Sequence, residues 1–167
     1  MNLFKTKNSN KKHVGEIVYL KENYRTNEKT AYDGISTIYY DIYKNFDDVK
    51  VGKIELRLSV EGFMYYYGHI GYHVFSMHRG NNYAYYACKI LFDIAKNEFN
   101  MNELLLTCSP ENEVSYHILE KLNGEYIETV DVPKNHTLYH INEKTKCIFK
   151  FKIWINYIID IELFKYL

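Results

Sequence analysis

An α+β fold, built on a mixed but mostly antiparallel central sheet with a parallel βαβ unit at its centre and helices packed on its faces, is predicted by how the sequence changes its periodicity. Residues 15–75 are dominated by period-2 runs rich in Val, Ile and Tyr. Two stretches of helical period, from Tyr83 and from Ser109, then bracket a short unbroken apolar run at 104–108, and two more β-rich runs close the pattern. The 167 residues amount to a single domain with one core, set at 15–155. An aperiodic polar stretch over 1–14 reads as a flexible start, and 156–167 as an extension of the same domain.

Ile17 and Tyr19 mark a first strand between Gly15 and Tyr24. A polar connection, Arg25 to Gly34, leads to a second at Ile35–Tyr43. After a turn at Asn45–Asp48, the residues Val51, Ile54, Leu56, Leu58 and Val60 give a third, its alternation broken near Gly52. The second and third strands should pair as an antiparallel hairpin. Past Glu61-Gly62, Ile70, Tyr72 and Val74 share one face of a fourth strand, with His69, Gly71, His73 and Phe75 on the other. Ala84, Ala87, Cys88, Leu91 and Ala95 recur at helical spacing and fix a helix from Tyr83 to about Asn97. Leu104–Cys108 reads as a central strand covered on both faces. Ser109-Pro110 supplies an N-cap and a first-turn proline for a second helix, striped by Val114, Ile118, Leu119 and Leu122 and closed by Gly124. Glu125–Val132 and Cys147–Ile155 are two further strands able to form a hairpin across the polar loop 133–146. The fourth strand, first helix and fifth strand make a βαβ unit, which predicts a parallel pair with a right-handed crossover.

Composition narrows the function. Lys plus Arg and Asp plus Glu number 21 each, so nothing in the net charge points to nucleic acid or an anionic membrane. Cys88, Cys108 and Cys147 lie in apolar periodic segments without CxxC spacing, which argues against a disulfide framework or a zinc knuckle and suits a reducing cytoplasm. The basic start has no apolar segment of a secretory signal, and the apolar C-terminal run carries Lys150, Lys152, Asp160, Glu162 and Lys165, too many charges for a membrane span. The 18 tyrosines are spread over the whole chain and read as strand and core material before any aromatic substrate box.

The chemistry concentrates between Gly68 and Ala84. A strand runs into a short loop, Arg79-Gly-Asn-Asn82, and then into a helix that begins near Tyr83. Gly80, Asn81 and Asn82 tolerate positive φ and can aim successive N–H groups at one anion, the helix adds its positive dipole end, and Arg79 adds a full charge. This suits a phosphate-bearing ligand.

The order of elements, together with Gly68-His-Ile-Gly-Tyr72 and Arg79-Gly-Asn-Asn-Tyr-Ala84, resembles the GNAT superfamily of acyl-CoA-dependent N-acetyltransferases over about residues 35–155. The family loop Arg/Gln-x-x-Gly-x-Gly/Ala is matched by Arg79 and Ala84, with Asn82 in place of the central glycine. Thr107-Cys-Ser-Pro-Glu-Asn-Glu-Val-Ser115 and Glu120-Lys-Leu-Asn-Gly124 resemble the family's next strand and its Asn-x-x-Ser helix. The resemblance implies acetyl-CoA as acyl donor. It places the pantetheine arm along the backbone of Val74, Phe75 and Ser76, the pyrophosphate on Arg79, Gly80, Asn81, Asn82, Tyr83 and Ala84, and a further contact at Asn112. It also implies that the fourth and fifth strands splay to admit the thioester.

Transfer to an amine requires the amine uncharged, and an alkylammonium of pKa about 10.4 must first lose a proton. His69 stands where many relatives carry Glu and is the candidate base; a histidine hydrogen-bonded at a strand start is the competing reading. The family's usual tyrosine acid falls on Leu119 here, and Tyr116, about one turn earlier, is the candidate substitute. Cys108 is read as a buried, inert thiol, and the oxyanion is assigned to a backbone N–H near Val74. His69 and His73 would lie roughly 13 Å apart on a strand, and the same spacing separates His136 and His140, so no metal is expected. The family usually inserts two helices between its first two strands to wall the acceptor site, and Arg25–Gly34 is too short for them. Either that wall is missing, or residues 1–24 fold differently, or a second subunit supplies it in a homodimer. The reading is an N-acetyltransferase of a small amine or a protein amino group, the alternative a degraded acyl-CoA-binding or interaction module.

Overall fold

The computed structural model describes residues 11–27, 34–58, 62 and 64–153. The first ten residues, most of the connection after Arg25 and the 156–167 extension lie outside the described residues. Among the described residues thirteen elements follow one another, eight of them strands. β1 (Lys12–Val14), β2 (Val18–Arg25), β3 (Thr37–Lys44), β4 (Lys50–Arg57) and β5 (Ile70–Val74) form one antiparallel sheet in chain order. β6 (Glu103–Cys108), β7 (Glu125–Asp131) and β8 (Thr145–Lys152) form a second antiparallel sheet in the order β6-β8-β7. The β3–β4 hairpin and the β7–β8 pairing match expectation. β1 does not: residues 12–14, read as an aperiodic start, add an edge strand to β2.

The helix α2 (Tyr83–Phe99) packs on the first sheet, and its buried residues Ala87, Cys88, Leu91, Ile94 and Ala95 meet Leu20, Ile38, Ile42, Ile54 and Leu56 in one apolar cluster. Each large aliphatic side chain so buried contributes about 1.5–3 kcal/mol. Asn100 ends the helix in the left-handed conformation, φ 53°, with its N–H on the Ala95 and Lys96 carbonyls. Two single-turn helices, α1 (Met64–Tyr67) and α4 (Thr137–His140), carry too few residues for a periodic signature. They touch through Tyr67 and Thr137, whose hydroxyls are hydrogen-bonded, and through the Tyr66 and Tyr67 rings beside His136.

The second long helix, α3 (Glu113–Lys121), begins later than Ser109-Pro110 suggested. Ser109 to Asn112 close a turn, and the N-cap is Asn112, whose side chain accepts the Ser115 N–H at 3.1 Å. At the other end Asn123, φ 62°, takes the left-handed position expected of Gly124. Gly124 is needed for a different reason, since a Cβ there would stand 2.5 Å from the Phe151 ring.

The expected parallel βαβ pair is corrected: both sheets are antiparallel throughout, and β5 and β6 belong to different sheets. The two strands meet at His69. Its N–H donates to the Leu105 carbonyl at 2.6 Å, but the Leu105 N–H goes to the imidazole Nδ1 at 2.8 Å instead of to a main-chain carbonyl. A side chain thus takes the donor that the next rung of a ladder would use.

Candidate active site

Antiparallel pairing fixes which backbone groups of β5 remain for a ligand. The Arg57 N–H donates to the His69 carbonyl and the Phe75 N–H donates to the Val51 carbonyl. Residues 69, 71, 73 and 75 therefore turn their main-chain groups to β4, and Tyr72 and Val74 turn theirs to the opposite edge, which no strand covers among the described residues. An extended ligand with amide groups fits along such an edge. Of the three residues expected to line it, Val74 does. The Phe75 N–H is engaged by β4 and its carbonyl accepts from His78, while Ser76 opens a one-turn 3-10 segment whose first carbonyl accepts from Arg79.

Beyond that turn the chain forms the cradle that the loop composition suggested. Gly80 has φ 84° and Asn82 φ 57°, and Asn82 caps α2 without a side-chain hydrogen bond to its first turn. Among the described residues, the N–H groups of Gly80, Asn81, Asn82, Tyr83 and Ala84 donate to no protein acceptor. Asn81 stiffens the loop instead, donating Nδ2 to the His78 and Arg79 carbonyls at 3.1 and 3.2 Å. Arg79 donates Nε to the Val74 carbonyl at 3.2 Å, which leaves the remainder of its guanidinium exposed beside the loop. Free N–H groups at a helix start, with a fixed cation, are what a phosphate needs.

β5, the loop, the start of α2 and the face of α3 enclose a cleft of about 630 Å³. It brings together Val74, Arg79 to Ala84 and Asn112 from the expected set. Asn112 uses its Oδ1 as a helix cap, so only its Nδ2 is left to meet a ligand. A second hollow, of about 650 Å³ between β1 and the outer face of α2, contains none of the candidate residues.

The two candidate proton carriers, His69 and Tyr116, are not among the residues that line the cleft. His69 is 8 % exposed, and its Nδ1 is the acceptor of the Leu105 N–H, so the neutral ring carries its proton on Nε2 and has no free lone pair. Burial, aided by the Arg57 guanidinium, also pushes its pKa below the usual imidazole value. This geometry is that of a buried junction between sheets. Tyr116 does not line the cleft: its ring packs edge-on against Phe149 at 5.1 Å, toward the second sheet. The helix stripe alone could not fix that phase.

The cleft wall instead holds residues that the motif reading did not single out. Tyr72 reaches across from β5 toward Ser115 on α3, and its hydroxyl is buried without a hydrogen-bond partner of good geometry. Burial pushes its pKa up. Lys121 places Nζ 3.3 Å from Asn82 Oδ1 and 4.6 Å from the Tyr85 ring centre, adding a second cation near the loop. The alternation at Ile70, Tyr72 and Val74 carried a signal for Tyr72, since it puts this side chain with the buried ones. Among the described residues no group of three or more His, Cys, Asp or Glu side chains could hold a metal ion, and no helix is long and apolar enough to cross a membrane.

A strand whose outer edge is uncovered among the described residues, running into a cradle of N–H groups ahead of a long helix, has the shape and donors to suit an extended, phosphate-bearing ligand. The chain belongs to the GNAT acetyltransferase family, whose domain model matches residues 12–125. The fold agrees with solved structures of that class. A GNAT-family acetyltransferase from Bacillus anthracis superposes with a TM-score of 0.55 at 19 % identity, covering 69 % of this chain and 66 % of that one. An acetyltransferase from Agrobacterium tumefaciens gives 0.59 at 15 % identity, over 90 % and 98 % of the two chains. A dodecameric spermidine N-acetyltransferase from Vibrio cholerae gives 0.54 at 12 % identity, over 72 % and 68 %. No curated protein sequence matches the chain.

Proposed function

We propose that this protein transfers an acetyl group from acetyl-CoA to a primary amine, on a small molecule or a protein, by direct attack in a ternary complex. The observation that carries the reading is the row of unpaired N–H groups from Gly80 to Ala84 with Arg79 beside it, at the end of a strand whose outer edge is open. The N–H groups and Arg79 hold the pyrophosphate, with Lys121 as a second cation. The main-chain groups of Tyr72, on the same outer edge as Val74, hold an amide of the pantetheine arm. Acetyl-CoA supplies the activated acyl group as a thioester. In this reading the Val74 N–H donates to the oxygen that gains charge, and the Tyr72 hydroxyl, which has no hydrogen-bond partner of good geometry, turns to the departing sulfur.

The test is release of free thiol from acetyl-CoA in the presence of a panel of amines that includes spermidine and lysine-containing peptides. The reading predicts amine-dependent release, and Arg79→Ala should weaken acetyl-CoA binding roughly 5- to 150-fold, about 1–3 kcal/mol. A second reading, an acyl-CoA-binding module without turnover, is favoured by the engagement of His69 and Tyr116 in packing. Tight acetyl-CoA binding with no thiol release from any amine would select it.

A further inference from the structure

We propose that Cys108 and Cys147 form a reversible redox pair, closing to a cross-strand disulfide when a small two-electron oxidant of the peroxide class reaches them. The two residues are direct partners in the β6–β8 ladder. The Ile153 N–H donates to the Asn102 carbonyl, and stepping two residues at a time along the register makes Cys108 and Cys147 a hydrogen-bonded rung of the same kind. Such rungs hold their Cα atoms about 5.5 Å apart, within the Cα range of disulfides, but their Cβ atoms lie at the wide end of cross-strand spacings, so closure draws the two strands together locally and leaves a strained, readily reduced bond. The side chains share a face: Leu104, Leu106 and Cys108 on β6 and Cys147, Phe149 and Phe151 on β8 are all buried.

Their surroundings assign the roles. Thr129, on the exposed edge strand β7, sets Oγ1 3.3 Å from Cys147 Sγ, where a hydroxyl can steady a thiolate. Burial pushes the Cys108 thiol up to about 12, so it enters second. The Cys147 sulfur loses its proton to solvent and attacks one peroxide oxygen; the O–O bond breaks, and the released hydroxide takes up a proton to leave as water. Cys147 is then a sulfenic acid. The Cys108 sulfur attacks it, the S–S bond forms as the S–O bond breaks, and a second water leaves with the Cys108 proton. The thiol pair loses two electrons and the peroxide is reduced to water. Cys88, fully buried on α2, has no partner in either ladder. Cys108 directly precedes the Ser109–Asn112 turn that carries α3 to the cleft, so oxidation would pin β6 to β8 beside the acyl-donor site.

The experiment treats the full-length reduced protein with hydrogen peroxide, alkylates the remaining thiols in denaturant and maps the peptides by mass. The expected result is a fall from three free thiols to one and a Cys108–Cys147 linked peptide that dithiothreitol reverses. Cys147→Ser should give no intramolecular link under the same treatment. Retention of all three thiols, a link through Cys88, or over-oxidised cysteines with no link would overturn the pairing, and none of these outcomes bears on acetyl-CoA binding.

Discussion

His69 joins three strands: its carbonyl accepts from Arg57 on β4, its N–H donates to Leu105 on β6, and its Nδ1 accepts the Leu105 N–H. His69→Leu should therefore cost about 1–3 kcal/mol in denaturant unfolding, because a buried N–H loses its acceptor. His69→Asn, whose Oδ1 can stand in for Nδ1, should recover most of that. The lowered pKa sets the pH dependence. The unfolded chain binds more protons than the folded one in the window below about 6.5, so this contribution is complete above that pH and is lost as pH falls from there toward the depressed folded value. Unfolding curves at several pH values should show the loss in the wild type and less of it in His69→Asn. At the other disputed residue, Tyr116→Phe should leave turnover within about twofold, since the hydroxyl is not in the cleft, whereas Tyr72→Phe should lower turnover more than acetyl-CoA affinity.

The start of α2 is the element on which donor binding depends, and its geometry rests on Asn82 in the left-handed region. A residue with a Cβ and no local polar group pays about 1–2 kcal/mol there, so Asn82→Ala should lower both Tm and acetyl-CoA affinity. Asn82→Gly should keep the cradle and most of the affinity, losing only the Lys121 contact. Both are read by thermal unfolding with and without ligand. Element identity was legible in this region because a strand of period 2, a polar loop and a helix of period 3.6 succeed one another without ambiguity. The finer assignments needed the structure. Whether Phe75 or Tyr72 offers its backbone to a ligand depends on the register with β4, and the direction of Tyr116 depends on a helix start set by Asn112, not Ser109.

At the scale of the whole molecule, two antiparallel sheets meet through His69 and Leu105 instead of forming one continuous mixed sheet. The sequence shows the strand order, and the family resemblance implied a splay. It could not show that an imidazole would intercept the ladder, because local pattern says nothing about which acceptor a distant N–H finds. At the mouth of the β2–β3 connection Thr26 and Thr37 exchange backbone hydrogen bonds, and most of the connection itself lies outside the described residues. Because the cleft draws on β5, α2 and α3 together, a ligand seated there should stabilise the molecule as a unit. Tm should rise with acetyl-CoA concentration, by about 2.7 kcal/mol of added stability at 100 times Kd.

The most direct measurement of the donor-site assignment is an amide NMR titration of the protein with CoA. The assignment predicts that the largest shifts fall on Gly80 to Ala84, with a second set at Tyr72 and Val74, and that Arg79→Ala weakens the titration without moving the affected amides elsewhere. Saturable shifts centred on β1 and the outer face of α2, or no shifts at Gly80 to Ala84, would contradict it.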